Sequence, residues 1–554
     1  MEEKNNPPVD AEKQPPAGPP ASVAAEAEGF HNLKRSQVFV TLGGVMLAMF
    51  LSTLDSTIVS TAMPRIIADL KGFEHYTWVS TAYLLTYTAA MPIVGRLTDM
   101  YGRKWFYIIG IVIFLLGSAL CGLSHSMTQL IICRGFQGIG AGVMMANAAI
   151  VIGDLFPPSE RGKYQGLTMA VFGLAAIVGP LLGGFITDRF SWHWIFYINL
   201  PLGIPVIVAF IRFFPNIQPV RVKHQLDYLG MAAMVLCVAP LILGLSWAGV
   251  EYEWVSPQIV GTLAMSAVMV IVFIVVESRA AEPIMPLGVF RNRVVSVSVI
   301  ASFCIGMGLF GTIFLVPLFF QGVLGQSATN SGIILMPMML GWVVASTISG
   351  QALSRLGGHY RVQALVGLAV MAAGMFLLSR ITVDSSSGRA VFDIVVMGLG
   401  LGIALPLFVI AVQNAVPYRI MGAATASVQF FRSIGQTVGL AIFGSIMASH
   451  FASNVVRLTQ SDIKEVIGPD ALTRLTSHPE ALMDSSAMTQ LRDMFGQQGA
   501  EMAERFVRVL KESLTMAISD VFVIGTAALA VAFVVTLFLK EVALRRSHKP
   551  EELG

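Results

Sequence analysis

The chain has 554 residues, 55% of them hydrophobic and 12% charged, with a mean hydropathy of +0.72. A soluble globular chain carries about 25% charged residues, so this composition excludes a soluble domain and calls for many membrane spans. The net charge of +3 is too small to call for nucleic acid as a partner.

Residues 1–36 are rich in Pro, Ala and Glu. They cannot bury a core and read as a disordered tail. They lack the apolar centre of a signal peptide, so the first hydrophobic run should stay in place as a helix. Runs of spanning length, about 20 residues, start near Val38, Tyr76, Trp105, Met127, Tyr164, Trp194, Tyr228, Pro257, Val294, Asn330, Val362, Ala390, Met421 and Ser513. The expected class is therefore an all-α polytopic membrane protein with 14 transmembrane helices. An even number puts both ends on one side. With the N-terminus inside, inner tails and loops hold 22 Lys and Arg and the short outer loops five. The positive-inside rule then places both termini in the cytoplasm of a cell-membrane protein. Cys121, Cys133, Cys237 and Cys304 all fall in apolar runs without metal-ligand spacing and read as core residues.

The first span contains LSTLDSTIVS, with Asp55 alone in an apolar stretch. A carboxylate there costs about 2.5–3.5 kcal/mol on insertion scales, and intramembrane ionisable groups are functional by default. Arg134, in the fourth span, lies at the same depth: each is about seven residues, or roughly 10 Å, inside the outer boundary. The two are expected to pair. Desolvation and a neighbouring Arg act in opposite senses on such a carboxylate, so a modest change of surroundings can switch its protonation. A static structural pair is the plainer alternative. Arg432 in FFRSIGQTVG is the third deep charge, with Gln429, Gln436 and Thr437 around it. It either lines a cavity from the C-terminal side or ties down backbone carbonyls; both stay open. Asp393 and Asp520 near outer span ends and Asp154 near an inner end read as solvated at the interface. Glu277 and Glu282 fall in the loop after span 8 and are given no site role.

After the second span the chain reads GRLTDMYGRK (95–104), and after the tenth GQALSRLGGHYR (350–361), each with a Gly pair seven apart, Gly95/Gly102 and Gly350/Gly357. This suggests two six-helix sets, spans 1–6 and 9–14, around a midplane site, a known transporter plan. Spans 7 and 8 become an insert. Asp99 has Ser354 as its counterpart, so the charged loop belongs to the first half alone. Residues 450–512 carry mixed charge, and ALMDSSAMTQLRDMF and EMAERFVRVLKESL read as amphipathic helices of an outer cap.

Five motifs carry a family resemblance. GRLTDMYGRK resembles the loop signature of the major facilitator superfamily. RGFQGIGAG (134–142) resembles its fourth-helix motif, and GLAAIVGPLLGG (173–184) its fifth-helix antiporter motif. LDSTIVSTAMP (54–64) and WHWIFYINLP (192–201) resemble signatures of the 14-span drug:proton antiporter family, with His193 where that family usually has Arg. The match covers about residues 35 to 545. It implies the major facilitator fold: an N-terminal six-helix bundle (37–214), a linker with two inserted helices (215–293), a C-terminal six-helix bundle (294–540, including the outer segment 450–512), and a cytoplasmic tail (541–554). It supports a cytoplasmic latch formed by Gly95, Asp99, Gly102, Arg103 and Lys104. It assigns Gly173, Gly179, Pro180, Gly183 and Gly184 to a seal between the halves.

The leading reading is a secondary transporter exporting hydrophobic or amphipathic compounds, expected to be cationic, in exchange for protons by alternating access. Export of one defined metabolite or lipid is the alternative. No nucleotide loop of the Walker kind appears, so the proton gradient rather than ATP is the expected energy source, with no cofactor and no metal. A membrane-embedded enzyme would need a cluster of His, Asp, Glu or Cys at an interface, and none is visible. A receptor using the outer segment is a further alternative. The expected partners are a small-molecule substrate, protons and the lipid bilayer, with the single chain as working unit.

Overall fold

The computed structural model describes residues 34–70, 76–215, 225–249, 251–326, 328–355, 358–459 and 500–544. Among them run fourteen long helices. They are α1 (Arg35–Leu70), α2 (Tyr76–Tyr101), α3 (Arg103–Gly122), α4 (Met127–Leu155), α5 (Pro158–Arg189), α6 (Asn199–Phe213, after a short turn Trp194–Tyr197), α7 (Tyr228–Trp247) and α8 (Pro257–Arg279). Then come α9 (Arg293–Leu318), α10 (Ala328–Arg355), α11 (Tyr360–Leu378), α12 (Ser387–Ala415), α13 (Met421–Leu458) and α14 (Ala500–Thr536). Thirteen of these are apolar and long enough to cross a membrane; α2, more polar but 26 residues long, is the fourteenth. At 1.5 Å per residue α2 reaches roughly 39 Å, more than the hydrocarbon core. No strand occurs among the described residues beyond one isolated bridge, Ala248 to Tyr252.

Helices α1–α6 pack as one bundle and α9–α14 as another. The α7–α8 hairpin lies against α2 and α13 at the seam, through α7. Helix α8 faces outward, exposing Val260, Met265, Val268, Ile271 and Ile274, as suits lipid contact.

Between helices in a bilayer, small residues set how closely backbones approach. A Cβ on Gly117 would lie 2.7 Å from the Gln137 Cα, and one on Gly140 or Gly142 would strike backbone of α3 or α2. The glycines of RGFQGIGAG therefore let α4 sink between its two neighbours. Pro317 near the end of α9 removes a helical donor, and the chain continues as one π turn, Phe319–Val323.

Two expectations change in the fold. The amphipathic run 501–514 is no separate cap helix: it is the first part of α14, a single 37-residue helix. Its apolar stripe, Ala503, Phe506, Leu510 and Leu514, is buried against the C-terminal bundle. An amphipathic period is the same whether a helix stands alone or extends a span, so periodicity could not separate the two. Helix α13 likewise runs 38 residues to Leu458. The other expected amphipathic helix, 481–495, lies outside the described residues, as do 1–33 of the tail. The second change concerns residues 541–544, which are packed rather than trailing. Asn414 donates to the carbonyls of Val542 and Ala543, and Tyr360 donates to Lys540 O while accepting from Val542 N. Gly358, with φ of +82°, sits against Leu544 there. It is the left-handed counterpart of Gly102 (φ +91°) in the other half, whereas Gly357 lies outside the described residues.

Candidate functional site

The centre of the N-terminal bundle is a polar network in an apolar wall. Asp55 on α1 is fully buried and Arg134 on α4 nearly so. One guanidinium nitrogen of Arg134, Nη1, donates to Asp55 Oδ2. The same nitrogen donates to Gln137 Oε1 at 2.8 Å, and Gln137 Nε2 donates to Asp55 Oδ1 at 2.8 Å. Asn199 Nδ2 at the head of α6 adds a bond of 3.0 Å to Asp55 Oδ1 and one of 2.9 Å to Ser118 Oγ. Ser118 in turn donates to Phe196 O. The carboxylate is thus met by three donors from α4 and α6. Above the pair, the Arg134 Cζ lies 4.1 Å from the centre of the Tyr83 ring, a cation–π contact. Tyr83 stacks on Tyr87 with centroids 6.1 Å apart.

Gln137 and Asn199 escaped the sequence reading because a neutral amide raises no alarm in a span. A signal existed for both. Gln137 follows Arg134 by three residues, on the same helical face, and Asn199 lies inside the WHWIFYINLP motif. Gly117 is what lets the Gln137 backbone approach α3.

The motif's outer turn ties down α1. Trp192 Nε1 donates to Asp69 Oδ2 at 2.8 Å, and His193 Nδ1 shares a hydrogen bond of 2.7 Å with Ser191 Oγ. His193 stacks on Trp192, and burial holds its imidazole below the usual value. This turn carries no fixed charge at neutral pH.

At the face of the molecule bearing the termini, the halves are locked together. Helix α13 starts after Ile420, which offers no side-chain cap. Asp99 of the opposite half supplies it. Its Oδ1 accepts from Gly422 N at 3.0 Å and its Oδ2 from Ala423 N at 2.8 Å. A helix N-terminus carries partial positive charge and orphan donors, so an anion is favoured there. Arg103 bridges Asp99 at 2.6 Å and Asp154 at 3.0 Å. Gly95 and Gly422 allow this approach: a Cβ on Gly95 would collide with Ala426, and one on Gly422 with the Asp99 carboxylate. Gly102, left-handed, turns the chain between Asp99 and Arg103. Lys104 stands apart, donating to Ile211 O at 2.9 Å on an exposed edge. A second tie joins α4, α5 and α12. Gln413 Nε2 donates to Ala149 O at 3.0 Å, and its Oε1 accepts from Arg161 at 3.4 Å.

Four sequence expectations are corrected by this geometry. Asp154 is a buried ion-pair partner of Arg103, not a solvated interfacial group. Asp393 is 2% exposed, and its Oδ2 has no hydrogen-bond partner among the described residues. Helix α12 packs against both α10 and α11. Glu277 belongs to the last turn of α8, is buried, and accepts the backbone amides of Ile284 and Met285 at 3.3 Å each. It fastens the following loop back onto its own helix. Asp520, by contrast, is half-exposed beside His450, as an interfacial group would be.

The fourth correction concerns the antiporter motif. Gly179 and Gly183 face α1 of the same bundle: Cβ atoms there would meet Thr57 Oγ1 and Ile58 O. Pro180 is interior to α5, and Gly184 has open space beside it. Contact with the other half is made lower on α5, where of the motif's glycines Gly173 takes part. A Cβ on Gly162 would lie 2.8 Å from the Gly350 Cα, one on Gly166 3.0 Å from the Thr347 Cα, and one on Gly173 3.4 Å from Val343. The helix is two-sided: its outer part packs on α1 and its inner part closes on α10.

Arg432, Gln429 and Gln436 share one face of α13, at spacings of three and four residues. All three are partly exposed although α13 lies inside the protein between α2 and α9. Arg432 Nη2 donates to Gln429 Oε1 at 2.6 Å. Beside them Ser433 and Thr88 share a hydrogen bond of 3.1 Å that joins the halves at mid-depth. Among the described residues no three His, Cys, Asp or Glu are grouped as a metal site.

A bundle of two six-helix units, with a buried acid–base network in one and a polar face opposite, defines a membrane transporter. The Major Facilitator Superfamily profile matches residues 45–440, and the chain belongs to that superfamily. It is 39% identical over 524 residues to the multidrug transporter protein MdtP of Bacillus subtilis, covering 94% of this chain and 96% of that one. It is 37% identical over 504 residues to multidrug resistance protein 3 of the same organism, covering 91% and 95%. Among solved structures, the human organic anion transporter MFSD10 is similar with a TM-score of 0.57 at 12% identity, over 89% of this chain and 99% of that one. That likeness is one of fold. The chain is a transporter of the efflux type rather than an enzyme.

Proposed function

We propose that the protein exports hydrophobic and amphipathic small molecules across the cell membrane in exchange for protons, with Asp55 as the titrating group and both termini in the cytoplasm. The observation that carries the reading is the Asp55 network. A carboxylate with no exposed surface is tolerable in a bilayer only when fully satisfied, and here Arg134, Gln137 and Asn199 satisfy it as the anion. Protonation would remove the reason for that arrangement and loosen α1 from α4 and α6. That links proton binding to helix packing, which is what exchange requires. The latch and the Gly162–Gly350 contact close the face bearing the termini, which supports a stage with that face shut and Asp55 held away from it. Multidrug transporters among the relatives support a broad cargo range.

The sequence expectation of a cationic cargo rests on Asp55. In this conformation both its oxygens are engaged, so a cation would have to displace Arg134 or Gln137. The single chain is taken as the working unit, and no cofactor is invoked. The test is transport by purified protein in liposomes with an imposed pH gradient. Uptake of a substrate panel that follows the gradient and collapses with a protonophore supports the reading. Transport that ignores the gradient, or that requires ATP, sinks it.

A further inference from the structure

The deep arginine of one half has a carboxylate partner and that of the other half has none among the described residues. In the N-terminal bundle Arg134 meets Asp55. In the C-terminal bundle Arg432 is in salt-bridge contact with no described carboxylate. Its hydrogen bond goes to a neutral amide, Gln429, and its Nε is buried without a partner. Tyr87 of α2 stands within electrostatic reach of it, and a phenol is neutral at working pH. An arginine stays charged at any accessible pH. A charge inside a bilayer must be paired or face a water-filled space.

Its surroundings point to a site. The Gln429–Arg432–Gln436 face is the polar stripe of α13. The opposite side of that helix, Phe430, Phe431 and Ile434, packs on the linker helix α7 and its neighbours. The α9 side is sealed backbone to backbone, with a Cβ on Gly435 or Gly439 striking Phe303 or Met307. The stripe is partly exposed, on a helix that the Thr88–Ser433 bond ties to α2 of the other half, the helix that also carries Tyr87. Tyr87 stacks on Tyr83, which lies under Arg134.

We propose that Arg432 is the docking point for an anionic group of the cargo, so that amphipathic anions bearing a carboxylate, sulfonate or phosphate on an aromatic or aliphatic body belong to the substrate range. The guanidinium offers a planar fork of donors that fits such groups, and Gln429 and Gln436 add neutral polar contacts on either side along the helix. The aromatic body would lie against Tyr87. The anion would pair with a guanidinium that no described carboxylate contacts. This goes beyond the export reading, on which it rests only for the direction of transport.

The test uses three probes with one aromatic body: 1-pyrenebutyrate, the neutral 1-pyrenebutyramide and the cationic 1-pyrenebutylamine. Full-length protein in lipid nanodiscs is titrated with each, read by energy transfer from tryptophan and corrected with empty nanodiscs. The wild type should bind the anion at least ~10-fold more tightly than the amide, equivalent to about 1.4 kcal/mol. Arg432→Gln should remove that preference while leaving the amide affinity in place, and Arg432→Lys should keep part of it. Equal affinity of the wild type for all three probes, a preference for the amine, or an unchanged preference in Arg432→Gln overturns the proposal. The wild-type comparison decides the matter even if both variants fail to fold. Because binding is read without a pH gradient, failure here leaves proton coupling standing, and failure of coupling in liposomes leaves this result standing.

Discussion

In the N-terminal bundle a buried arginine is held by a carboxylate, an amide and an aromatic face. In the C-terminal bundle a partly exposed arginine is held by one amide. Both sit on helices beside the same seam, α4 and α13, and both neighbour α2. Their surroundings separate their tasks. A network with its acceptor in place is satisfied without a ligand. A donor fork without an acceptor is incomplete until something arrives. As proposed above, the ion response would belong to one half and cargo contact to the other, and Tyr83 and Tyr87 lie between.

The largest expected effect is at the balanced site. Asp55→Asn keeps the shape but cannot titrate. It should leave the protein folded and inserted while abolishing transport driven by a pH gradient in inverted vesicles. Normal gradient-driven uptake would remove the proton role and erase the contrast between the halves. Next is the seam. Gly350→Val places a side chain on the Gly162 carbonyl, and overpacking of this kind costs about 1–3 kcal/mol or more. The face bearing the termini should then fail to close, read as raised cysteine-labelling of that face together with lost transport. Unchanged labelling would show that α5 and α10 do not form the closing surface. Arg134→Ala should displace the pH profile of transport, and Arg134→Lys should do so less, since charge is kept and the fork lost. A superimposable Ala profile would make Arg134 merely structural, and the two arginines would no longer differ in the manner described.

Asp99→Asn should act more gently. It weakens a cap and a bridge to Arg103, worth about 1–2 kcal/mol, or roughly five- to thirty-fold in the closed-to-open ratio. Equilibrium substrate binding should survive while labelling of the inner face rises. Lost binding with unchanged labelling would break the latch. The smallest effect is at His193. Its folded-state imidazole is held below its usual value by burial, so the unfolded chain takes up the proton more readily. That contribution to stability is present above about pH 6.5 and fades as pH falls. His193→Asn should therefore flatten the decline of thermal stability between neutral and mildly acidic pH. An unaltered decline would assign it elsewhere.

Much of this could be read before any coordinates. Asp55 and Arg134 announced each other because charges in a span are rare and depth follows from counting residues. Asp99 stood out because its counterpart in the other half is Ser354. The partners of Asp55 did not announce themselves, since Gln137 and Asn199 are uncharged and their role is purely positional. Asp154 was legible as a charge but not as a buried one, because burial at a helix end depends on which helices close over it. The same holds for Asp393 and Glu277. Gly179 and Gly183 were assigned to a seal between the halves, but closely spaced glycines do not name the helix they meet. Only the fold shows that it is α1, with Gly162 and Gly166 meeting α10.

Asp99 caps a helix that belongs to the other half, and this has a consequence for the moment of opening. When the latch parts, the Gly422 and Ala423 amides lose their acceptor and helix α13 has no local residue to replace it. Water must take the place of the carboxylate at that helix end, and the freed carboxylate must be hydrated with Arg103. Opening of the inner face is therefore a wetting event before it is a movement. Its rate should track water activity, slowing in solutions of large excluded osmolytes and recovering when they are diluted.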